Sequence, residues 1–203
     1  MKYDIRNENK SDWYEVEVLT REAFWNKQKC SEHGIGCDEH YLLHLLRQYS
    51  GFVKELDFVA QLNNCIIGNI VYTKAWIKED NVNCQEVLTF GPISVLPKFQ
   101  RQGCGSELVI YSMEAATRMG FGAVIIYGHP SYYPKFGFQD ASEFCITTPE
   151  GKNFPAFMVK ELKNGFLKNI TGTFHLPEIF NIKIDDAIKF NKNYIQYIFP
   201  IIF

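Results

Sequence analysis

One stretch in the middle of the chain constrains the fold more than any other. A β-type segment, Leu88–Val95, is followed by the glycine-rich loop Gln100–Ser106 and then by a helical pattern, Glu107–Met119. A loop that enters a helix presents backbone N–H groups with no internal partner, and the helix dipole adds partial positive charge there. Two glycines of the loop let the backbone approach a ligand closely, and Arg101 adds a cation. The unit therefore predicts an anion site, above all for a pyrophosphate.

The spacing of the loop argues against two common phosphate-binding motifs. The loop has no Gly-x-x-x-x-Gly-Lys-Ser/Thr pattern, which argues against a P-loop NTPase, and no Gly-x-Gly-x-x-Gly followed by an acidic residue about 20 positions later, which argues against a dinucleotide site. The pattern from Gln100 to Gly105 is Gln-x-x-Gly-x-Gly. Taken alone, this pattern also fits a helix N-terminus that needs small residues.

Composition narrows the class of protein. The 203 residues include 21 Lys and Arg and 23 Asp and Glu, for a net charge of −2, and 46% are hydrophobic. These values are typical of a globular domain, and the near-zero charge argues against nucleic acid as the main partner. No apolar stretch approaches the roughly 20 residues that span a bilayer, and the first ten residues lack the apolar core of a secretory signal. We therefore expect a cytoplasmic protein with no membrane partner, whose six cysteines are free thiols.

Local patterns predict a mixed α/β domain. Apolar residues at helical spacing follow two candidate N-caps, Ser11 and Asp38, and a looser stretch separates the two helices. Alternating apolar and polar residues predict an antiparallel hairpin with Gly68 as a bulge position. The segment Ser131–Phe136 fits one or two helical turns. The predicted strands are Ile5–Arg6, Leu56–Gln61, Cys65–Lys74, Glu86–Val95, Ala123–Tyr127, Phe144–Thr147 and Ala156–Glu161.

Two motifs in the right order resemble those of a known superfamily. Gln100–Gly105, placed after a β-strand, resembles the acyl-CoA pyrophosphate loop of the GNAT N-acetyltransferases, and Tyr132–Phe138, about thirty residues later, is similar to their Tyr-x-x-x-Gly-Phe segment. Three further segments resemble the bacterial subgroup labelled YhbS-like: Asp38–Arg47, Gly91–Pro97 and Gly128–Pro130. The resemblance covers Ile5 to Gly172. It implies the GNAT fold, an α/β arrangement with a central mixed, mostly antiparallel twisted sheet, a splayed parallel strand pair and about four flanking helices.

The resemblance also implies where acetyl-CoA binds. In the family the pantetheine arm lies between two splayed strands, which here correspond to Glu86–Val95 and Ala123–Tyr127. Backbone groups of the first strand would pair with pantetheine, and loop N–H groups would hold the pyrophosphate, while the Gln100 side chain braces the loop. The implied cofactor-binding residues are Ile93, Ser94, Val95, Gln100, Arg101, Gln102, Gly103, Cys104, Gly105, Ser106 and Tyr133.

The implied activity is direct transfer of the acetyl group from acetyl-CoA to a primary amine, on a small molecule or a peptide, without an acyl-enzyme. Tyr133 aligns with the family tyrosine that protonates the CoA sulfur; Tyr132 is the adjacent competitor, and packing is the alternative role. Glu86, acting through water, and His129 are the two candidate bases, and loss of the amine proton to solvent is the third route. The reaction needs no metal.

Several alternatives stay open. A non-catalytic acyl-CoA sensor would share the fold, and the thiol of Cys104 at a helix N-terminus is a less favoured nucleophile. A zinc module is a third reading, since Cys30, His33, Cys37 and His40 are zinc-competent, although their spacing matches no common finger. We place the acetyltransferase domain at residues 1–175. An extension, 176–203, packs on it or on a second subunit, and its apolar end suggests a homodimer.

Overall fold

The computed structural model describes residues 3–79 and 84–192, and a nine-stranded sheet forms its centre. The strands are β1 Asp4–Asn7, β2 Phe58–Leu62, β3 Cys65–Lys78, β4 Cys84–Val95, β5 Ala123–Tyr127, β6 Gln139–Asp140, β7 Ile146–Thr147, β8 Phe157–Glu161 and β9 Gly172–His175. The helices are α1 Trp13–Phe24, α2 Lys27–His33, α3 Glu39–Leu46, α4 Cys104–Arg118 and α5 Ile184–Asn191. The predicted fold class is confirmed, with five α-helices in the described chain where about four were expected.

Strand pairing is mostly antiparallel. The order is β1-β2-β3-β4-β5-β8-β6, with β9 paired to both β3 and β7. Two pairs are parallel, β4 with β5 and the short β7 with β9. The β4–β5 pair carries only one registered residue pair, Leu88 with Val124, although β4 continues to Val95. The two strands therefore diverge after this point, which confirms the splayed parallel pair.

The register of β4 explains where the divergence begins. On its other edge β4 pairs with β3, and there Ile70 faces Ile93 while Tyr72 faces Phe90. Between these two pairs β3 therefore has one residue, at position 71, and β4 has two residues, at positions 91 and 92. Such a bulge bends the strand that carries the extra residue. It lies three residues beyond Leu88, where β4 departs from β5.

Local structure departs from the sequence prediction at several points. Ser11 is wrong as the first N-cap, because a 3₁₀ turn begins at Lys10 and the Asp12 carboxylate accepts the Asn9 N–H at 2.8 Å. The looser stretch after α1 contains a further helix, α2, whose N-cap Asn26 accepts the N–H groups of residues 28 and 29 at 2.8 and 3.1 Å. The hairpin bulge leaves Ile67 unpaired, one residue before the predicted position. The strand predicted over Phe144–Thr147 is reduced to β7, because a 3₁₀ turn occupies residues 141–144.

The apolar core lies on both faces of the sheet. On one face α4 packs over β3, β4 and β5, and on the other face α1 and α3 pack over β2 and β3. A third cluster joins β5, β8 and β9 on that second face. Representative buried members of the three clusters are Leu88, Leu108 and Val124; Val16, Leu43 and Val71; and Ile125, Phe157 and Phe174. Helix α4 is therefore fixed against the two strands that diverge.

The described part of the C-terminal segment lies on the same domain. In α5, the Phe190 ring centroid lies 4.7 Å from that of His44 and 5.0 Å from that of Tyr41, both on α3. Asn191 accepts a hydrogen bond from the Nε of Arg21 on α1 at 2.8 Å. The apolar end that suggested a homodimer, residues 193–203, lies outside the described residues. Within the described chain, no helix combines the length and the apolar character needed to cross a bilayer.

A buried ionic cluster ties α1 and α3 to the first strands. The Arg47 side chain is 1% exposed; its Nη1 lies 2.7 Å from the Glu17 carboxylate, and its Nε donates to Glu8 at 2.9 Å. The Trp13 ring centroid lies 5.2 Å from the Arg47 guanidinium carbon. Burial raises the pKa of the Asp57 carboxyl well above its usual range, and contact with Glu8 raises it further, so this acid joins the cluster in its protonated form.

Replacing Arg47 is expected to destabilise the fold strongly. Arg47→Ala leaves two buried carboxylates without their cation, which costs roughly 3–5 kcal/mol in comparable buried pairs. Arg118→Ala is the matched control, because Arg118 forms an exposed pair with Glu114 on α4 at 3.9 Å and such pairs contribute about 0.5 kcal/mol or less. Urea unfolding of both variants measures the difference. Equal stabilities of the two variants would show that the buried cluster does not hold these elements together.

Candidate active site

A cavity of about 490 Å³ opens between the end of β4 and the start of α4. The second half of β4 supplies one wall, the glycine-rich loop and the first turn of α4 supply another, and the 3₁₀ turn Tyr133–Phe136 closes the third side together with the residue before it. The lining residues are Ile93, Val95, Gln100, Arg101, Gly103, Gly105, Ser106, Tyr132 and Lys135. Most of the predicted cofactor residues therefore meet in one place.

Backbone N–H groups at the start of α4, beside this cavity, have no partner within the described chain. Within the described part of the chain, the N–H groups of residues 101–106 donate to no other residue. The first N–H group after them that has an acceptor is that of Glu107, which donates to the Gly103 carbonyl at 3.0 Å. Arg101 and Gly103 have φ angles of 59° and 98°. This left-handed backbone turns successive N–H groups toward one side, which is the arrangement of an anion-binding nest.

Side chains of the loop hold that backbone in place. The Gln100 amide donates to the Val95 carbonyl at 3.0 Å, which ties the loop to β4. The Gln102 amide donates to the Lys98 carbonyl at 2.7 Å, and the Gln102 carbonyl accepts from the Tyr3 hydroxyl at 3.1 Å. Gln102 is thus absent from the cavity lining. The Gln100 side chain braces the loop against the carbonyl of Val95.

Two cavity residues lie outside the predicted cofactor-binding set: Tyr132, named only as the competitor of Tyr133 for the acid role, and Lys135, to which sequence reasoning gave no role. The Lys135 ammonium lies 3.1 Å from the Ser106 hydroxyl and 4.0 Å from the centre of the Tyr132 ring. The Tyr132 hydroxyl is 3.4 Å from the same Ser106 oxygen. With Arg101, the lining carries two cations and no carboxylate. The signal for Lys135 was present in the second motif, as a basic residue two positions before Gly137.

Gly105 allows the close approach of Tyr132. A Cβ at this position would lie 3.3 Å from the Tyr132 hydroxyl and 3.6 Å from a methyl group of Val95. The first contact is tighter than an ordinary van der Waals contact, so with a larger residue here the Tyr132 hydroxyl would have to move by a few tenths of an ångström. The absence of a side chain at Gly105 therefore leaves room for the Tyr132 hydroxyl, in addition to leaving the backbone open to a ligand.

Tyr133 lies behind the cavity wall. Its side chain packs between Phe90 and Phe138, with ring centroids 5.7 Å away in each case, and the Tyr132 ring meets it edge-on at 5.1 Å. Burial raises the pKa of the Tyr133 phenol to about 12, with a further contribution from Tyr132. The phenol is therefore fully protonated at neutral pH and able to donate. Tyr132, and not Tyr133, belongs to the cavity lining.

Ser94 and Cys104 point away from the cavity. The Ser94 hydroxyl lies 3.0 Å from that of Thr20 on α1, on the opposite face of the sheet, so only its backbone is available on the β4 edge. Cys104 is 1% exposed and belongs to the core under α4. Burial, with a smaller contribution from Glu107, raises the pKa of the Cys104 thiol to about 12, so the thiol stays protonated. The structure thus gives Cys104 a packing role.

The two candidate bases stand apart from each other. The Glu86 carboxylate pairs with the Lys74 ammonium at 3.0 Å. It lies seven residues before Ile93, about 23 Å away along an extended strand at roughly 3.3 Å per residue. His129 follows β5 by two residues, and its Nδ1 lies 2.9 Å from the Ser131 hydroxyl. His129 is therefore near the end of the strand gap, whereas Glu86 is near its beginning.

The zinc-competent side chains that the structure describes do not form a metal site. Cys37 is buried, with its sulfur 3.2 Å from the Glu39 carboxylate. His40 is fully buried, and burial lowers its pKa to about 4. Within residues 3–79 and 84–192, no group of three or more His, Cys, Asp or Glu side chains is placed to hold a metal ion. The reading as a zinc module gains no support.

Sequence comparisons identify a family for most of this region. The model of the Acetyltransferase (GNAT) family matches residues 4–138. A protein of Escherichia coli K12, described as uncharacterized N-acetyltransferase YhbS, is 25% identical over 143 residues, which cover 70% of this chain and 83% of that protein. A second E. coli K12 protein, uncharacterized N-acetyltransferase YjhQ, is 30% identical over 105 residues, covering 44% of this chain and 58% of that protein.

Solved structures share the fold. The crystal structure of the E. coli GNAT family N-acetyltransferase YhbS in complex with CoA matches with a TM-score of 0.75 and 23% identity, covering 90% of this chain and 93% of that one. A GNAT family acetyltransferase from Brucella melitensis in complex with acetyl-CoA matches with a TM-score of 0.66 and 21% identity, covering 88% and 98%. At these identities the likeness concerns the architecture alone.

Proposed function

Because the chain belongs to the Acetyltransferase (GNAT) family, we propose that it transfers an acetyl group from acetyl-CoA to a primary amine by direct attack on the thioester. One observation carries the proposal: within the described chain the N–H groups of residues 101–106 have no hydrogen-bond partner, and four of these residues, Arg101, Gly103, Gly105 and Ser106, line a cavity that also holds the Lys135 ammonium. The structural neighbours crystallised with CoA and acetyl-CoA support the choice of ligand. The curated relatives named as N-acetyltransferases support the reaction type.

The diphosphate of CoA is proposed to lie at the start of α4. Its oxygens accept from the N–H groups of residues 101–106, where the helix dipole also favours negative charge. Arg101 and Lys135 flank this position and supply charge-assisted hydrogen bonds. The short contact from Lys135 to Ser106 places the ammonium directly over the first turn of α4. Lys135 is thus a phosphate-binding residue of this proposal that the sequence motif alone did not single out.

The pantetheine arm is proposed to follow the gap between β4 and β5. Beyond Leu88 the edge of β4 that faces β5 has no registered strand partner among residues 3–79 and 84–192. The peptide groups of Ile93, Ser94 and Val95 lie in this unpaired stretch, and an extended amide chain can add to it as a strand would. The side chains of Ile93 and Val95 line the cavity beside it. The thioester would then lie farther along the gap, near the end of β5.

The chemistry requires one proton to be supplied and one to be removed. The amine nitrogen bonds to the carbonyl carbon, the C–S bond breaks, and the sulfur takes a proton while the amine loses one. A backbone N–H in the unpaired stretch of β4 polarises the carbonyl oxygen. The Tyr133 phenol, protonated at neutral pH, supplies the proton to sulfur. Glu86 and His129 stay predictions as bases; of the two, His129 lies nearer the end of the gap.

Gly103→Glu is expected to abolish CoA binding. It places a negative charge beside the proposed diphosphate site, on a residue whose φ of 98° already disfavours a side chain. Isothermal titration calorimetry with CoA should show affinity at least 100-fold weaker than in the unaltered chain. Gly120→Glu is the matched control, because Gly120 has φ of 90° and equally open surroundings, but it follows the other end of α4. Equal CoA affinities for both variants would refute the diphosphate site.

Tyr133→Phe is expected to lower kcat for thiol release at least tenfold with little change in the KM for acetyl-CoA. The phenylalanine keeps the ring packing against Phe90 and Phe138 and removes only the proton donor. Tyr132→Phe is the paired variant, since its hydroxyl lies beside Ser106 in the cavity. A loss of kcat confined to Tyr132→Phe would transfer the acid role to Tyr132. Unchanged turnover in both variants would remove the phenolic acid from the mechanism.

A further inference from the structure

An exposed aromatic pair stands at the end of β5, outside the cavity described above. Tyr127 and Phe154 are 43% and 40% exposed. Their rings stack, with centroids 5.6 Å apart and an interplanar angle of 22°. Two large aromatic side chains that stack while open to solvent present a flat apolar surface, which is the kind of feature that marks a binding position.

Buried aromatic residues hold this surface in place. The Tyr127 ring lies 5.2 Å from the ring of Phe157 and 5.9 Å from that of Phe174, both fully buried. Tyr127 also pairs with Phe157 in the β5–β8 ladder, and the Phe157 N–H donates to the Phe154 carbonyl at 2.8 Å. The pair therefore rests on the core and needs little ordering to receive a ligand, which reduces the entropic cost of binding.

The pair lies at the end of the strand gap. Counting from the registered pair Leu88–Val124, three residues along each strand lead to Gly91 and Tyr127, where β4 and β5 have begun to diverge. Val124 packs with α4 on one face of the sheet, whereas Tyr127 contacts the aromatic cluster on the other face. The diphosphate cavity and the aromatic pair are therefore on opposite faces, joined by the gap.

Helix α1 runs toward the same opening. Near its start, the Glu15 carboxylate accepts the Ile66 N–H at 3.2 Å, and one and a half turns later Thr20 meets Ser94 at 3.0 Å. Because β3 and β4 are antiparallel, this path leads from the end of β4 back toward Gly91, so α1 ends beside the gap. An acceptor can thus approach between the end of α1 and the aromatic pair.

The phenol of the pair is uncharged. Burial raises the pKa of the Tyr127 phenol, and the carboxylate of Glu150 raises it further. The phenol is neutral at physiological pH. An uncharged aromatic ring offers its face and edges to another aromatic ring.

On the basis of the proposed function, we propose that Tyr127 and Phe154 form the acceptor platform and select primary amines that carry an aromatic ring. The ring of the acceptor stacks on the exposed pair, and its flexible alkyl arm directs the amine into the gap between β4 and β5. Apolar aromatic acceptors are thereby favoured over purely aliphatic ones of similar basicity.

The test is a binding measurement on the full chain saturated with CoA, so that no turnover is needed. Isothermal titration calorimetry compares 2-phenylethylamine with butylamine. We expect the aromatic amine to bind at least tenfold more tightly, and we expect Phe154→Ala to reduce that ratio to near one while the CoA affinity is unchanged. The unchanged CoA affinity also shows that the variant is folded. Met119→Ala is the control, because Met119 is 45% exposed but follows the far end of α4.

The outcomes distinguish a failure of the acceptor platform from a failure of the proposed acetyl-CoA function. Equal affinities for the two amines, no binding of either, or a ratio that survives in Phe154→Ala would overturn the platform while leaving acetyl-CoA binding intact. Absence of CoA binding in the first titration would instead overturn the proposed function on which the platform depends. A ratio that falls equally in Met119→Ala would show a general effect of surface truncation and would also overturn the platform.

Discussion

The site depends on backbone N–H groups that the described protein leaves unsatisfied at the start of α4. A helix can satisfy these groups only by capping side chains, water or a ligand. Here Gln100 and Gln102 donate to carbonyls of neighbouring segments, and neither caps the helix. The left-handed backbone of Arg101 and Gly103 keeps the N–H groups directed to one cavity. Arg101 and Lys135 add positive charge beside these N–H groups, and Gly105 leaves room for Tyr132 at the cavity wall.

The divergence of β4 and β5 connects this anion site to the rest of the chemistry. Because β4 and β5 share only the Leu88–Val124 pair among the described residues, the edge of β4 beyond Leu88 is left without a strand partner and leads from the level of Tyr127 to the cavity. Core packing beneath α4 fixes one side of the gap, and the aromatic cluster around Phe157 fixes the other. The buried ionic cluster around Arg47 holds α1 and α3 in register with the first strands. The proposed acetyl-CoA site thus rests on the core beneath α4, and the proposed acceptor site rests on the aromatic cluster around Phe157.

The sequence predicts the local parts of this account better than the long-range ones. The strand, loop and helix around Gln100–Ser106 form one continuous segment, so spacing alone places the unpaired N–H groups. Lys135 was missed because its position over Ser106 depends on how the 3₁₀ turn packs on α4. The Tyr127–Phe154 pair joins two segments 27 positions apart, and no local pattern reveals that their rings meet. Short β9 and helix α2 were missed for a related reason, since their hydrophobic periodicity is weak and tertiary contacts decide them.

The central claim is that the N–H groups of residues 101–106 bind the diphosphate of CoA. Nuclear magnetic resonance of the ¹⁵N-labelled protein, titrated with CoA, observes those groups one by one. The account predicts that their signals shift far more than those of β8, and that 3′,5′-ADP, which lacks the diphosphate bridge, shifts them less. Signals of residues 101–106 that stay in place while CoA binds elsewhere would contradict it.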